Sequence, residues 1–187
     1  MNRLSPTEFV ESWKEDLEPL VCASPEAFES VRLPADTIDF LTQAGLPKSV
    51  APFLSFDLLA SQFVPVSKSW NIDAEFDEYV SIGSNGSGDP VCLVQPTGEL
   101  VYLHHDDGFK QILINSSIPQ FAACSLVLRE LVEATIIQNG GDAFLDNDIP
   151  VTELSLARHK FVDIDSEAII PGSFWHGEFE RMAAGPW

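Results

Sequence analysis

Residues 79–90 read Tyr79-Val80-Ser81-Ile82-Gly83-Ser84-Asn85-Gly86-Ser87-Gly88-Asp89-Pro90. Val91-Cys92-Leu93-Val94 follows, then a turn at Gln95-Pro96-Thr97-Gly98, then Leu100-Val101-Tyr102-Leu103-His104-His105-Asp106-Asp107. The stretch closes on Ile112-Leu113-Ile114-Asn115-Ser116-Ser117 and on Ile118-Pro119-Gln120-Phe121. Short β-branched and aromatic runs between turn clusters predict an antiparallel meander. Pro presets φ and Gly accepts positive φ, so Pro96-Thr97-Gly98 suits a tight turn. Asn115-Ser116-Ser117 offers helix N-caps, with Pro119 in the first turn of the helix that follows.

Upstream, Ser5-Pro6-Thr7-Glu8 has the pattern of a capping box. Phe9, Trp13 and Leu17 form one apolar face of the predicted helix, opposite Glu8, Glu11, Glu15 and Asp16, and Pro19 ends it. The stripe reads as core, with a partner-binding stripe as the alternative. Ser24-Pro25-Glu26 predicts a helical turn. A firmer helix is predicted from Ala35 to Ala44, with Ile38, Phe40, Leu41 and Ala44 inward and Gly45 at the left-handed exit position. Phe53–Phe56 and Gln62–Val66 are strand candidates; Pro65 makes the second an edge strand or no strand. An acidic connector, Trp70 to Glu78, feeds the meander. Downstream, a long helix is predicted over Ser117–Gln138, apolar well beyond one stripe, then helices over Val151–Phe161 and Ser173–Met182.

The Ile-Gly-Ser-Asn-Gly-Ser-Gly-Asp-Pro loop (Ile82–Pro90), the hairpin after it, the His105-Asp106 pair and the Asn-Ser-Ser-Ile-Pro-Gln-Phe helix start together resemble the SUKH superfamily. Leu33-Pro34 and Phe40-Leu41-Thr42-Gln43-Ala44-Gly45-Leu46-Pro47 look like that superfamily's amino-terminal helix and exit turn. The likeness touches most of residues 33–121 and is weak beyond Asn139. The superfamily includes Syd, the yeast cell-wall-assembly regulator and many bacterial immunity proteins. The resemblance implies a fold and a binding protein, and it implies no active site. The expected fold is α+β: one SUKH-like domain over residues 1–187, with a mixed, mainly antiparallel sheet and flanking helices. Amino-terminal helices occupy 1–50, the sheet meander 51–116 and a helical part 117–187.

Twenty-nine acidic residues face ten basic ones in 187 residues, a formal net charge of −19. Nucleic acid and anionic membrane are poor partners for such a surface. No run is long enough to span a bilayer, and the first residues lack the apolar core of a signal peptide. Cys22, Cys92 and Cys124 lack metal-ligand spacing and read as reduced, mostly buried thiols of a cytoplasmic protein. No Lys or Arg occurs from Ser69 to Phe109. That span holds Asp73, Glu75, Asp77, Glu78, Asp89, Glu99, Asp106 and Asp107. Two readings stand for these acids: solubility, or a docking surface for a basic partner.

Gly83–Gly88 invites a phosphate-loop reading. A phosphate loop needs Gly-Lys-Ser/Thr opening a helix, whereas here Asp89-Pro90 and a β run follow, so a structural turn is expected. In His104-His105-Asp106-Asp107, alternation puts the two histidines on opposite faces, pairing His104 with Asp106 and His105 with Asp107. The default is a strand end entering a turn at Asp107-Gly108; the alternative is a small metal-dependent hydrolase that needs a further ligand. The acids of Asp142–Asp148 lack the glycine and glutamate of a calcium loop.

The functional expectation joins resemblance to charge. It is a non-catalytic, cofactor-free immunity protein binding a basic nuclease- or deaminase-type toxin. The expected partner-binding residues are Asp73, Glu75, Asp77, Glu78, Asp89, Asp106 and Asp107. An intracellular regulator or scaffold of the same fold is the alternative. Oligomeric state is not readable from the sequence.

Overall fold

The computed structural model describes residues 4–13 and 18–186. Its first helix, α1 (Pro6–Ser12), carries the predicted capping box: the Ser5 hydroxyl accepts from Glu8 N, and Glu8 accepts from Ser5 N at 2.8 Å. Phe9 is fully buried and packs on Phe40, 5.6 Å between centroids. The helix stops at Ser12 because Trp13 turns extended, well short of Pro19. Leu17, Glu15 and Asp16 of the predicted faces lie outside the described residues. A 3-10 turn over Pro25–Phe28 sits where the helical turn is expected.

Helix α2 (Ala35–Gln43) buries Thr37, Phe40 and Leu41, and Gly45 follows with φ +69°. A Cβ there would stand 2.1 Å from Val21 O, so only glycine lets the chain pass. This close approach pairs β1 (Leu20–Val21) with β2 (Leu46–Pro47), a two-stranded sheet that runs too short for periodicity to betray.

The main sheet has six strands in chain order: β3 (Ser49–Val50), β4 (Leu54–Phe56), β5 (Tyr79–Ser84), β6 (Pro90–Val94), β7 (Leu100–His104) and β8 (Lys110–Asn115). The last four are the predicted meander, and every pairing among the described strands is antiparallel. The sheet begins at Ser49, slightly before the expected residue 51. Gly83 sits against β4, where a Cβ would meet Ser55 O at 2.0 Å. Gln62–Val66 is no strand: Pro65 makes one bridge to Val80, then Val66 opens helix α3 (Val66–Trp70).

Alternation along the strands gives the sheet two buried faces. Val80, Ile82, Val91, Leu93, Leu100 and Ile114 join the main core. Tyr79, Cys92, Val94, Val101 and Leu103 face the other way and form a second cluster with Val66. The main core is covered by α2 and by α4 (Ile118–Asn139), α5 (Val151–Ile164) and α6 (Phe174–Ala183). Helix α4 is buried nearly all round in its first half, as its wide apolar surface predicts, but Ile136 and Ile137 at its far end are exposed. Phe161 of α5 stacks edge-on with Trp175 and Phe179 of α6, both at 5.1 Å. Cys92 and Cys124 are buried, which pushes their thiols far up; Cys22 is exposed, against the expectation.

One polar node lies inside this packing. Asp165, 3 % exposed, caps the end of α5. Its carboxylate accepts from Asn115 Nδ2 (2.9 Å), Ser116 N (2.8 Å) and Ser116 Oγ (2.7 Å). Asn115 Oδ1 in turn accepts from Trp175 Nε1 at 2.9 Å. The node joins β8, the start of α4, the end of α5 and α6. Asp165→Ala strands these buried donors and is expected to lower unfolding free energy by about 3 kcal/mol. Asp165→Asn keeps one acceptor oxygen and loses less; urea unfolding of both variants measures the difference.

Candidate functional site

The acidic connector becomes a strap across the second face of the sheet. Helix α3 and a 3-10 turn over Ala74–Phe76 lay Val66, Ile72 and Phe76 onto Cys92, Val94, Val101 and Leu103. Phe109, from the turn after β7, closes the cluster: its ring stands 5.3 Å from Phe76 and 5.7 Å, edge-on, from Trp70. Apolar side chains point inward, so Asp73, Glu75, Asp77 and Glu78 are left facing solvent. The same ring contacts bring the turn His105–Asp107 beside the strap, and Asp106 and Asp107 are exposed there.

Several contacts hold the strap in register. The Asp77 side chain accepts from the Ser67 hydroxyl, and Gln95 Nε2 donates to Asp77 O at 3.0 Å. Gln95 N donates to Glu78 O at 2.7 Å. Glu99 accepts from Thr97 Oγ1. Burial, then Glu78, push the Tyr79 hydroxyl up to about 12, with Glu99 adding to the effect.

The span without Lys or Arg in sequence is not without a cation in space. Lys110 begins β8 directly after it, and its Nζ lies 3.9 Å from Asp107 Oδ2. Both side chains are exposed, so the pair contributes little stability but reduces the local negative charge.

Asp89 departs from the expected surface set. It is 2 % exposed and faces inward. Asn85 Nδ2 donates to its Oδ2 at 2.8 Å, and His105 N and Nδ1 lie 2.9 and 2.6 Å from its Oδ1. Burial works against the charged carboxyl, but the His105 N–H, the Asn85 amide and the His105 ring outweigh it and hold Asp89 below the ordinary carboxylate value. The glycine loop is built on the same pair. Ser87 N and Asp89 N both donate to Asn85 Oδ1 at 2.9 Å, so these N–H groups turn into the loop and none is offered to a phosphate.

His104 to Asp107 also divides differently from a plain strand. Pleating ends at His104, and His105–Asp107 is a 3-10 turn with Gly108 left-handed after it. Face alternation therefore fails at His105. Its ring meets Asp89 on one side and Asp106 on the other, Nε2 to Oδ1 at 3.4 Å, and lies 6.0 Å from Trp70. His104 turns to the face that carries α6. Among the described residues no group of three or more His, Cys, Asp or Glu side chains is placed to hold a metal ion.

The sequence reading missed the aromatic clamp of Trp70, Phe76 and Phe109 that presents the acids. Its signal was available: apolar residues at 70 and 72 precede the acids and Phe76 interrupts them, four residues after Ile72.

A family model matches residues 8–181, under the description SUKH-4 immunity protein. The resemblance carried by residues 33–121 thus extends over nearly the whole chain. No curated protein and no solved structure matches it. No helix among the described residues is long and apolar enough to cross a membrane.

Asp89 supplies a pH test. A carboxyl with a lowered folded-state pKa contributes stability above its ordinary value, 3.8, and loses it as pH falls through the lower folded value. Unfolding free energy measured from pH 6 down to 2.5 is therefore expected to show an acid limb. Asp89→Asn, which cannot ionise, flattens that limb and lowers stability at neutral pH.

Proposed function

Because the chain belongs to the SUKH-4 immunity protein family, we propose that it neutralises a basic toxin by binding it, without catalysis and in the cytoplasm, through the carboxylates of the strap and its neighbouring turn. Family membership supports a bacterial immunity role and a toxin partner. The basic character of that partner is our reading, and the observation that carries it is the strap: Asp73, Glu75, Asp77 and Glu78 stand outward over a packed aromatic layer, beside Asp106 and Asp107.

Fixed carboxylates suit a basic substrate groove, as nucleases and deaminases have. Like charges held together on one surface repel, and a positively charged partner removes that repulsion while the field accelerates encounter. The layer beneath holds the strap on the sheet, so docking orders few new residues. Asp89, engaged inside the loop, supports the strap surface and is not one of that surface's contacts.

The test is capture of proteins by the tagged chain from cells expressing its chromosomal neighbours, washed at low and high salt. A basic nuclease- or deaminase-type protein retained at low salt and released at high salt is expected. The variant Asp73→Lys/Glu75→Lys/Asp106→Lys, checked for native circular dichroism, is expected to slow association roughly tenfold or more. Undiminished capture by that variant overturns the acidic-surface reading.

A further inference from the structure

A cleft of about 530 Å³ opens on the opposite face of the sheet from the strap, between the glycine loop, the end of β7 and the start of α6. Its walls include Phe53, Asp89, Tyr102, His104, Phe174 and Glu178, and no Lys or Arg among the described residues lines it. We infer that this cleft takes the guanidinium of one arginine side chain from the basic partner. The inference rests on the reading that the partner is basic, and it adds a second, shape-selective contact to the broad field of the strap.

Charge points to a cation. Asp89 and Glu178 both line the cleft, and after burial their charges are what raise the Tyr102 hydroxyl, so the phenol stands within reach of two carboxylates. Glu178 holds Arg181 through Oε2 alone, with Nε at 3.0 Å and Nη2 at 2.7 Å. Its Oε1 is left for a further donor. An anionic ligand meets two carboxylates here, with Arg181 on Glu178 as a partial offset. Asp89 already accepts three hydrogen bonds, so a small metal ion would have to break the glycine loop to use it.

Shape points to guanidinium over ammonium. Tyr102 and Phe174 meet edge-on at 6.1 Å, a rigid aromatic corner. A planar, weakly hydrated cation stacks on such rings, while a compact ammonium keeps its water. His104 Nδ1 is buried beside them without a hydrogen-bond partner.

Position points to a protein as the bearer of that side chain. Phe53 is 67 % exposed at the rim, and Gly86 passes beneath it so closely that a Cβ would lie 2.9 Å from the Phe53 Cβ. An exposed aromatic beside a polar cleft is a pattern of protein docking anchors. Asp89 joins the two surfaces: it lines the cleft and accepts from His105 of the acidic turn.

The test titrates N-acetyl-arginine methylamide into the full chain labelled with ¹⁵N, with the neutral citrulline analogue as control. Saturable amide shifts confined to Gly86, Ser87, Gly172 and Gly177 are expected, and none with citrulline. Phe53→Ala, an exposed substitution that leaves the core intact, weakens the arginine probe about threefold, and Glu178→Gln about fivefold. Non-saturating shifts, equal shifts with citrulline, or shifts centred on residues 73–78 overturn the inference. Because the probe needs no toxin, failure of toxin capture leaves this titration readable. Conversely, capture of a toxin at full strength by Phe53→Ala/Glu178→Gln removes arginine as the anchor while leaving the strap reading intact.

Discussion

A single buried carboxylate sets how the halves of this protein meet. Asp165 ends α5, yet its oxygens are satisfied by Asn115 at the end of the last strand and by Ser116 just after it. Asn115 then receives the Trp175 indole of the last helix. Helix α4 starts two residues after Ser116, and Gln120 in its first turn donates to Ile164 O at 3.0 Å. Hydrophobic contact alone would let α5 and α6 slide on the core, because apolar surfaces are not directional. The buried hydrogen bonds fix one arrangement, since any other leaves a desolvated charge unpaired.

The elements written in strong local signals were legible in the sequence. The capping box at Ser5, the left-handed exit at Gly45, the meander from Tyr79 and the Ser117 and Ser173 caps all follow from residues within a few positions of each other. What escaped is long-range. The two-residue strands at Leu20 and Leu46 exist because α2 returns one against the other. Asp165 ends α5, but no local pattern shows that it faces inward to a partner, Asn115, 50 residues away.

The candidate surface was legible as composition and less so as geometry. The absence of Lys and Arg over 69–109 located the acids, and four of them stand outward on the strap. Two corrections came from how the turns fold. Asp89 turned into the protein because Asn85 and His105 satisfy it there, and Lys110 came alongside Asp107 across a tight turn. The expected pairing of His105 with Asp107 assumed that the strand continues through them, whereas it ends at His104.

The two faces of the sheet are held by different stretches of chain: the main helices on one, and a strap of about a dozen residues on the other. Apart from Asp77, whose side chain accepts from Ser67, the outward positions of that strap belong to neither apolar cluster. Their identities are thus nearly free of folding constraint, and substitutions there rewrite surface charge at little cost in stability. On the proposed reading of the strap as the docking surface, recognition can change on this strip while the scaffold beneath it is inherited unchanged.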